Sequence, residues 1–193
     1  NAAGIGDPNY VASLDANMST SSPFPADFVA ANGNTLPNAP GCPPAQGNSA
    51  NDPMMLTLHI RVPTNVQSFS LDTNFFSDEF PEWTCSPFND FFVVLLDSTY
   101  SGSPANPTDK NLAFFSSGNN KYPVGVNLAA GNTGLFTQCV NGATGCSSIL
   151  SGGTAGTIST CMSTTELTGT GMEQGAPFSC DSGSKMGGGT GWL

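Results

Sequence analysis

Positive charge is what this sequence has least of. Its 193 residues include four Lys and Arg and a single His against fourteen Asp and Glu, and charged residues make up 9 % of the chain, where an ordinary soluble domain carries about 25 %. The balance, 4 − 14 = −10, creates a field that repels nucleic-acid phosphates and anionic lipid headgroups, so nucleic acid is excluded as an expected partner. Long apolar runs are missing too. No stretch approaches the ~20 residues of a membrane-spanning helix, so no membrane span is expected. The chain opens at Asn1 with neither Met nor an apolar leader, the pattern of a processed product. The cysteines Cys42, Cys85, Cys139, Cys146, Cys161 and Cys180 form no C-x-x-C pair, and with one His present the zinc, haem and thioredoxin-type patterns lack their spacing.

What the chain does have is 23 Gly, 15 Pro and abundant Ser, Thr and Asn, so its solubility rests on hydroxyls and amides. Thirteen Phe and several dense apolar runs supply the burial that a disordered chain lacks, and the length suits one domain with a sizeable core. The even cysteine count favours disulfides and an oxidising compartment. Connectivity stays open in the sequence. Cys139 and Cys146 flank a turn-rich loop that is able to close on itself, which favours that pair; Cys161–Cys180 and Cys42–Cys85 then follow by elimination, with free buried thiols as the alternative.

Periodicity predicts an all-β chain, a jelly-roll-like β-sandwich with long irregular loops and little helix. Over residues 54–62, Leu56, Leu58, Ile60 and Val62 alternate with Thr57, His59 and Arg61, which predicts a strand with one buried and one wet face. Residues 67–75 predict another, with Phe69, Leu71 and Phe75 on one face, and Pro63-Thr64-Asn65 supplies the turn between them. The run Phe91-Phe92-Val93-Val94-Leu95-Leu96 is apolar throughout and predicts a central strand covered on both faces. Weaker strands are expected at 112–116, 124–128 and 135–140. Residues 1–52 are expected to form an extended or loop-rich N-terminal arm, residues 53–193 the sandwich, and the glycine run 187–191 a flexible tail or linker.

Ionisable groups concentrate in one place. Asp72, Asp78, Glu79, Glu82, Asp90 and Asp97 lie in a window without Lys or Arg, where like charges repel and lose solvation on burial. A bound cation relieves both costs, and hard oxygen ligands suit Ca2+. Asp78, Glu79, Glu82, Asn89 and Asp90 are the candidate ligands; the pattern is not that of an EF-hand, and a solvated acidic loop without an ion is the alternative.

Within that window Ser77-Asp78-Glu79-Phe80-Pro81-Glu82-Trp83 and Ser86-Pro87-Phe88-Asn89-Asp90-Phe91-Phe92 resemble the signature of the choice-of-anchor domain family, type L, bacterial surface or secreted modules. The resemblance runs mainly over 56–97 and 167–193. It implies an extracellular β-rich module in which Glu79, Glu82, Asn89, Asp90 and Glu173 match the family's acidic motif, and it implies no reaction. Family members usually continue past the segment that matches Gly191-Trp192-Leu193 into further strands. The resemblance therefore implies a sheet completed by other protein chains, through self-assembly, extending to fibres, or through a cleaved C-terminal fragment, with residues 1–52 a candidate donor.

Enzymatic readings find little. Asp181-Ser182-Gly183 resembles part of the trypsin-like nucleophile motif without the preceding Gly, and a Ser-His-Asp mechanism would have to use His59, on the polar face of a predicted strand. Glu79 and Glu82 are the remaining pair, as carboxylates flanking a glycosidic bond. Phe80, Trp83 and Phe88 beside carboxylates suggest a glycan platform; equally, they fill a core beneath the loop. The sequence thus favours a secreted, Ca2+-stabilised structural or adhesive module of the bacterial cell surface. A carbohydrate-binding module and a carboxylate-dependent glycosidase are the alternatives.

Overall fold

Proline and glycine cut this chain into short pieces, and its regular elements are correspondingly short. The structure, a computed structural model, describes residues 20–47, 49–66, 68–131, 133–145, 157–170, 172 and 187–193. In chain order the elements are β1 (Ser21–Pro23), α1 (Ala26–Ala31), β2 (Ser49–Asn51), β3 (Phe76–Ser77), β4 (Phe91–Phe92), β5 (Phe114–Ser117), β6 (Asn120–Gly125), β7 (Gly142–Thr144), β8 (Thr157–Ser159) and β9 (Gly188–Gly189), with 3-10 turns at Val126–Ala129 and Thr165–Leu167. The strands form four antiparallel sheets: β1–β2, β3–β9, β4–β6–β5 and β7–β8. The chain is all-β in class. Its largest described sheet has three strands, so the expected two-layer sandwich is not drawn among the described residues. None of the described helices is long and apolar enough to cross a membrane.

The β5–β6 hairpin shows how local sequence sets register. Ser117 pairs with Asn120 across Gly118-Asn119, and Gly118 adopts φ +59°, the left-handed conformation that two-residue hairpin turns require at their first position. Burial then divides into two clusters. Phe80, Val126, Ala129, Phe136 and Cys139 form one, edged by Phe75 and Cys161. Phe28, Val29 and Leu36 form the other, against Phe24, Phe91, Val93 and Leu95, with the rings of Phe24 and Phe91 stacked at 5.2 Å. Phe24, Phe28, Val29, Leu36 and Ala45 thus pack onto β4 and the chain that follows it. Pro25, at the N-terminal boundary of α1, begins the turn, and Phe28 and Val29 bury its inner face.

Several strand expectations need correction. Residues 54–62 are extended but enter no ladder, and both their apolar and polar side chains are exposed; alternation specifies a strand only where a neighbour supplies hydrogen bonds and cover. Of 67–75, Gln67 lies outside the described residues, and Thr73 exchanges two backbone hydrogen bonds with Leu193. The run 91–96 is half-buried and reduces to β4 plus a bridge from Leu95 to Asn111. It lies at the edge of its sheet, while β6 takes the centre. The amide of buried Asn111 stands in for part of a ladder, its Oδ1 accepting the N–H groups of Val94 and Ala113. The strand expected at 124–128 is instead the end of β6 followed by a 3-10 turn, and 135–140 holds only the bridges of Gln138.

The glycine run is no loose tail. Residues 187–191 are buried, and β9 pairs with β3. Glycine is required by space: a Cβ on Gly188 would lie 2.8 Å from Phe80 Cγ, and one on Gly189 2.7 Å from Phe76 Cδ1.

The disulfides are Cys42–Cys85, as expected, and Cys139–Cys161. The second overturns the pairings Cys139–Cys146 and Cys161–Cys180. The β7–β8 register, Gly142 opposite Ser159, carries the flanking residues together, and Asn141 Oδ1 accepts the N–H of Cys161. This brings the Cα atoms of Cys139 and Cys161 to 5.1 Å, within the usual span for a disulfide. Cys146 and Cys180 lie outside the described residues. Peptide mapping without reduction should recover the 42–85 and 139–161 links. Replacing Cys42 and Cys85 together by Ala should lower unfolding free energy by about 2–5 kcal/mol in a urea titration.

Candidate functional site

The acidic segment becomes a tight series of turns between β3 and β4, and one buried amide holds much of it. Asn127, fully buried in the 3-10 turn after β6, accepts the N–H of Cys85 on its Oδ1 at 2.6 Å. Its Nδ2 donates to Ser86 O at 2.8 Å and to Asn38 Oδ1 at 2.7 Å, and Asn38 Nδ2 donates back to Ser86 O and to Pro43 O. Three separate stretches of chain meet at one side chain. Cys85 takes φ +61°, a conformation uncommon outside glycine, and is held there by the Asn127 bond and the link to Cys42. On the other side Phe80 is buried and stacks on Phe136 at 5.9 Å, the Thr84 hydroxyl donates to Pro81 O, and Trp83 N–H donates to Glu79 O.

This frame crowds carboxylates. Glu79 is half-buried, and its Oε2 is shielded from solvent without a hydrogen-bond partner among the described residues. Burial first, then the charges of Asp90, Asp78 and Glu82, push its pKa up to about 7, against one favourable bond from the Asp90 amide. Asp90 is raised as well, by desolvation and then by Asp78, although the residue as a whole keeps solvent access. Glu82 is only 9 % exposed. The structure thus brings Asp78, Glu79, Glu82 and Asp90 into one electrostatic group. Asn89 is engaged differently, since its Oδ1 accepts the N–H of Asn127 at 3.2 Å and so helps fix the loop. Among the described residues no group of three or more His, Cys, Asp or Glu is placed to hold a metal ion. The charge of the loop suits a cation; the ligand geometry of a closed calcium site is not drawn.

The aromatic platform does not survive intact. Phe80 belongs to the core; Trp83 is half-buried and meets Phe88 edge to face at 5.8 Å, leaving Phe88 46 % exposed. For the glycosidase reading, the Oε2 atoms of Glu79 and Glu82 are both out of contact with solvent, whereas a glycosidic bond must reach its two carboxyls. A shallow depression of about 410 Å³ lies elsewhere, between the end of α1 and the β5–β6 hairpin, with Asp109 and Lys121 on its wall. His59 sits exposed on the unpaired 54–62 segment, while Asp181-Ser182-Gly183 and Glu173 lie outside the described residues.

Asn127, Asn38 and Asn111 escape a search for charged and aromatic motifs. Their signal is an amide beside apolar residues, as in Val126-Asn127-Leu128, which marks a side chain that must satisfy backbone groups inside the core. No family model, no curated protein and no solved structure matches the chain.

Glu79 gives the site a pH dependence with a definite sign. Its folded pKa of about 7 lies above its ordinary 4.5, so between these values the folded state holds the proton more tightly than the unfolded chain. Stability is highest below the lower value, falls as pH rises, and levels off above the upper value, with a total loss of about 3 kcal/mol. Urea midpoints should therefore drop from pH 5 to pH 8. Glu79→Gln should flatten that decline and stabilise the protein at pH 8; equal slopes in the two proteins would remove Glu79 from the explanation.

Proposed function

We propose that this chain is an extracellular structural or adhesive module of a bacterial surface, working by contact and not by catalysis. One observation carries the reading: a body clamped by two disulfides presents a long, extended segment, 53–62, whose Met54, Met55, Leu56, Leu58, Ile60 and Val62 its own described residues leave uncovered, with Val66, Phe69 and Leu71 exposed beyond it. Exposed apolar patches of this extent mark sites of association. Disulfides support an oxidising location, and the resemblance of the 77–92 motif to choice-of-anchor domains, type L, agrees with a surface role. Beads coated with the full chain should be retained by bacterial cells or cell-wall preparations, and Leu56→Asp with Ile60→Asp should abolish retention. Retention equal to that of albumin-coated beads would count against an adhesive role.

Calcium binding at the 78–90 loop is a second reading, favoured by the shielded, unpartnered Oε2 of Glu79 amid like charges. A cation there offers a relief that competes with protonation. At pH 8, where Glu79 is ionised, millimolar-scale Ca2+ should raise the melting temperature and chelator should reverse it, because a ligand of the folded state alone stabilises by mass action. Glu79→Gln should lose the response. Identical melting curves with Ca2+ and with chelator would leave the proton as the loop's only relief.

A further inference from the structure

We propose that the depression between the end of α1 and the β5–β6 hairpin is a binding site for a neutral, hydroxyl-rich ligand, a sugar unit of a glycan. It is separate from segment 53–62 and goes beyond the contact role just described. Three stretches of chain bound it: Asn32 at the end of α1, Asp109 in the turn before Asn111, and Asn119 to Tyr122 in the hairpin. Its volume, about 410 Å³, falls within the roughly 300–1,000 Å³ of small-ligand clefts. Two of these walls are joined, because Lys110 Nζ meets Asp27 Oδ2 of α1 at 2.7 Å. Lys110 also adopts φ +61°, a strained choice for a long side chain. Its N–H donates to Pro107 O and its carbonyl accepts the Leu96 N–H, which holds the turn that carries Asp109. Backbone strain of this kind gathers at ligand-binding sites.

The chemistry of the wall selects the ligand. Asn32, Asn119 and Asn120 each carry a donor and an acceptor side by side, which matches a pair of neighbouring sugar hydroxyls. Elsewhere the amides of this protein are engaged: Asn127, Asn38 and Asn111 bond backbone groups in the core. In the depression they are open. Among the described residues Asn119 makes no side-chain hydrogen bond, Asn32 uses only its Nδ2, on Phe28 O, and Asn120 only its Nδ2, on the Tyr122 hydroxyl at 3.4 Å. Asp109 and Lys121 add one charge of each sign. A carboxylate or phosphate would meet Asp109 in a chain of net charge −10, and a cationic ligand would meet Lys121, so the wall favours no net charge. An apolar ligand would strip water from these groups without replacing its hydrogen bonds. A hydroxyl-rich ring replaces them, and Tyr122 and Pro37 on the same wall offer apolar surface to its C–H face.

A glycan array probed with the full chain, followed by an NMR titration with a neutral glycan that it retains, tests this. Retention of neutral glycans is expected, with backbone amide shifts at Asn119, Asn120 and Tyr122. Asn119→Ala together with Asn120→Ala should weaken binding about tenfold or more, the loss of a few hydrogen bonds. The melting temperature should stay unchanged, because neither side chain belongs to a core cluster. Leu56→Asp with Ile60→Asp should leave glycan affinity intact, since that segment lies outside the depression. An array on which no glycan is retained, retention confined to charged glycans, or an affinity that the double Asn substitution leaves unaltered would overturn the inference. So would loss of glycan binding in the Leu56→Asp, Ile60→Asp chain, which would move the sugar to segment 53–62.

Discussion

The side chain of Asn127 is the constraint on which the rest of the acidic loop depends. A buried amide must find partners for both its donors and its acceptor, since an unsatisfied group in a core costs roughly 1–3 kcal/mol. Here the partners come from 38, 85, 86 and 88, so the requirement of one residue fixes the N-terminal packing, the left-handed turn at Cys85 and the approach of the loop to β6. The backbone N–H of the same residue reaches Asn89. Phe80 anchors the opposite end in the core, and the carboxylates between these anchors have little freedom to move apart.

That explains why electrostatic strain collects at Glu79. A solvated acidic loop would spread its charges; this one is tied at both ends by apolar burial and by amides, and the carboxylate that turns inward loses water without gaining a full set of donors. The apolar packing of Phe80, Val126 and Phe136 offsets the cost. Similar logic applies at β9, where two glycines permit the approach of Phe76 and Phe80, so small residues there serve packing density.

The β class is legible in the sequence because alternation and turn residues are local properties, and the hairpin at Gly118 is as local as its sequence suggests. Pairing is not local. Leu56, Leu58, Ile60 and Val62 alternate as a strand does, yet nothing in them says whether a neighbour exists, and the structure leaves them exposed. The disulfide between Cys139 and Cys161 depends on the register of β7 with β8, which spacing alone does not reveal, and the burial of residues 187–191 depends on aromatic rings more than a hundred positions earlier. For the site, the grouping of Asp78, Glu79, Glu82 and Asp90 is readable from composition. The roles of Phe80 as core and Asn89 as a backbone partner are not, since each depends on elements far along the chain.

Those distant pairings impose an order on biosynthesis. Phe75 hydrogen-bonds Thr190 across 115 positions, and β3 finds β9 only after all the intervening chain has been made. Closing so long a loop carries an entropic cost that no local contact repays in advance. While the ribosome is still adding the intervening residues, Phe75, Phe76 and Phe80 have no C-terminal cover, and the nascent chain passes through a stage that exposes aromatic surface the finished protein hides.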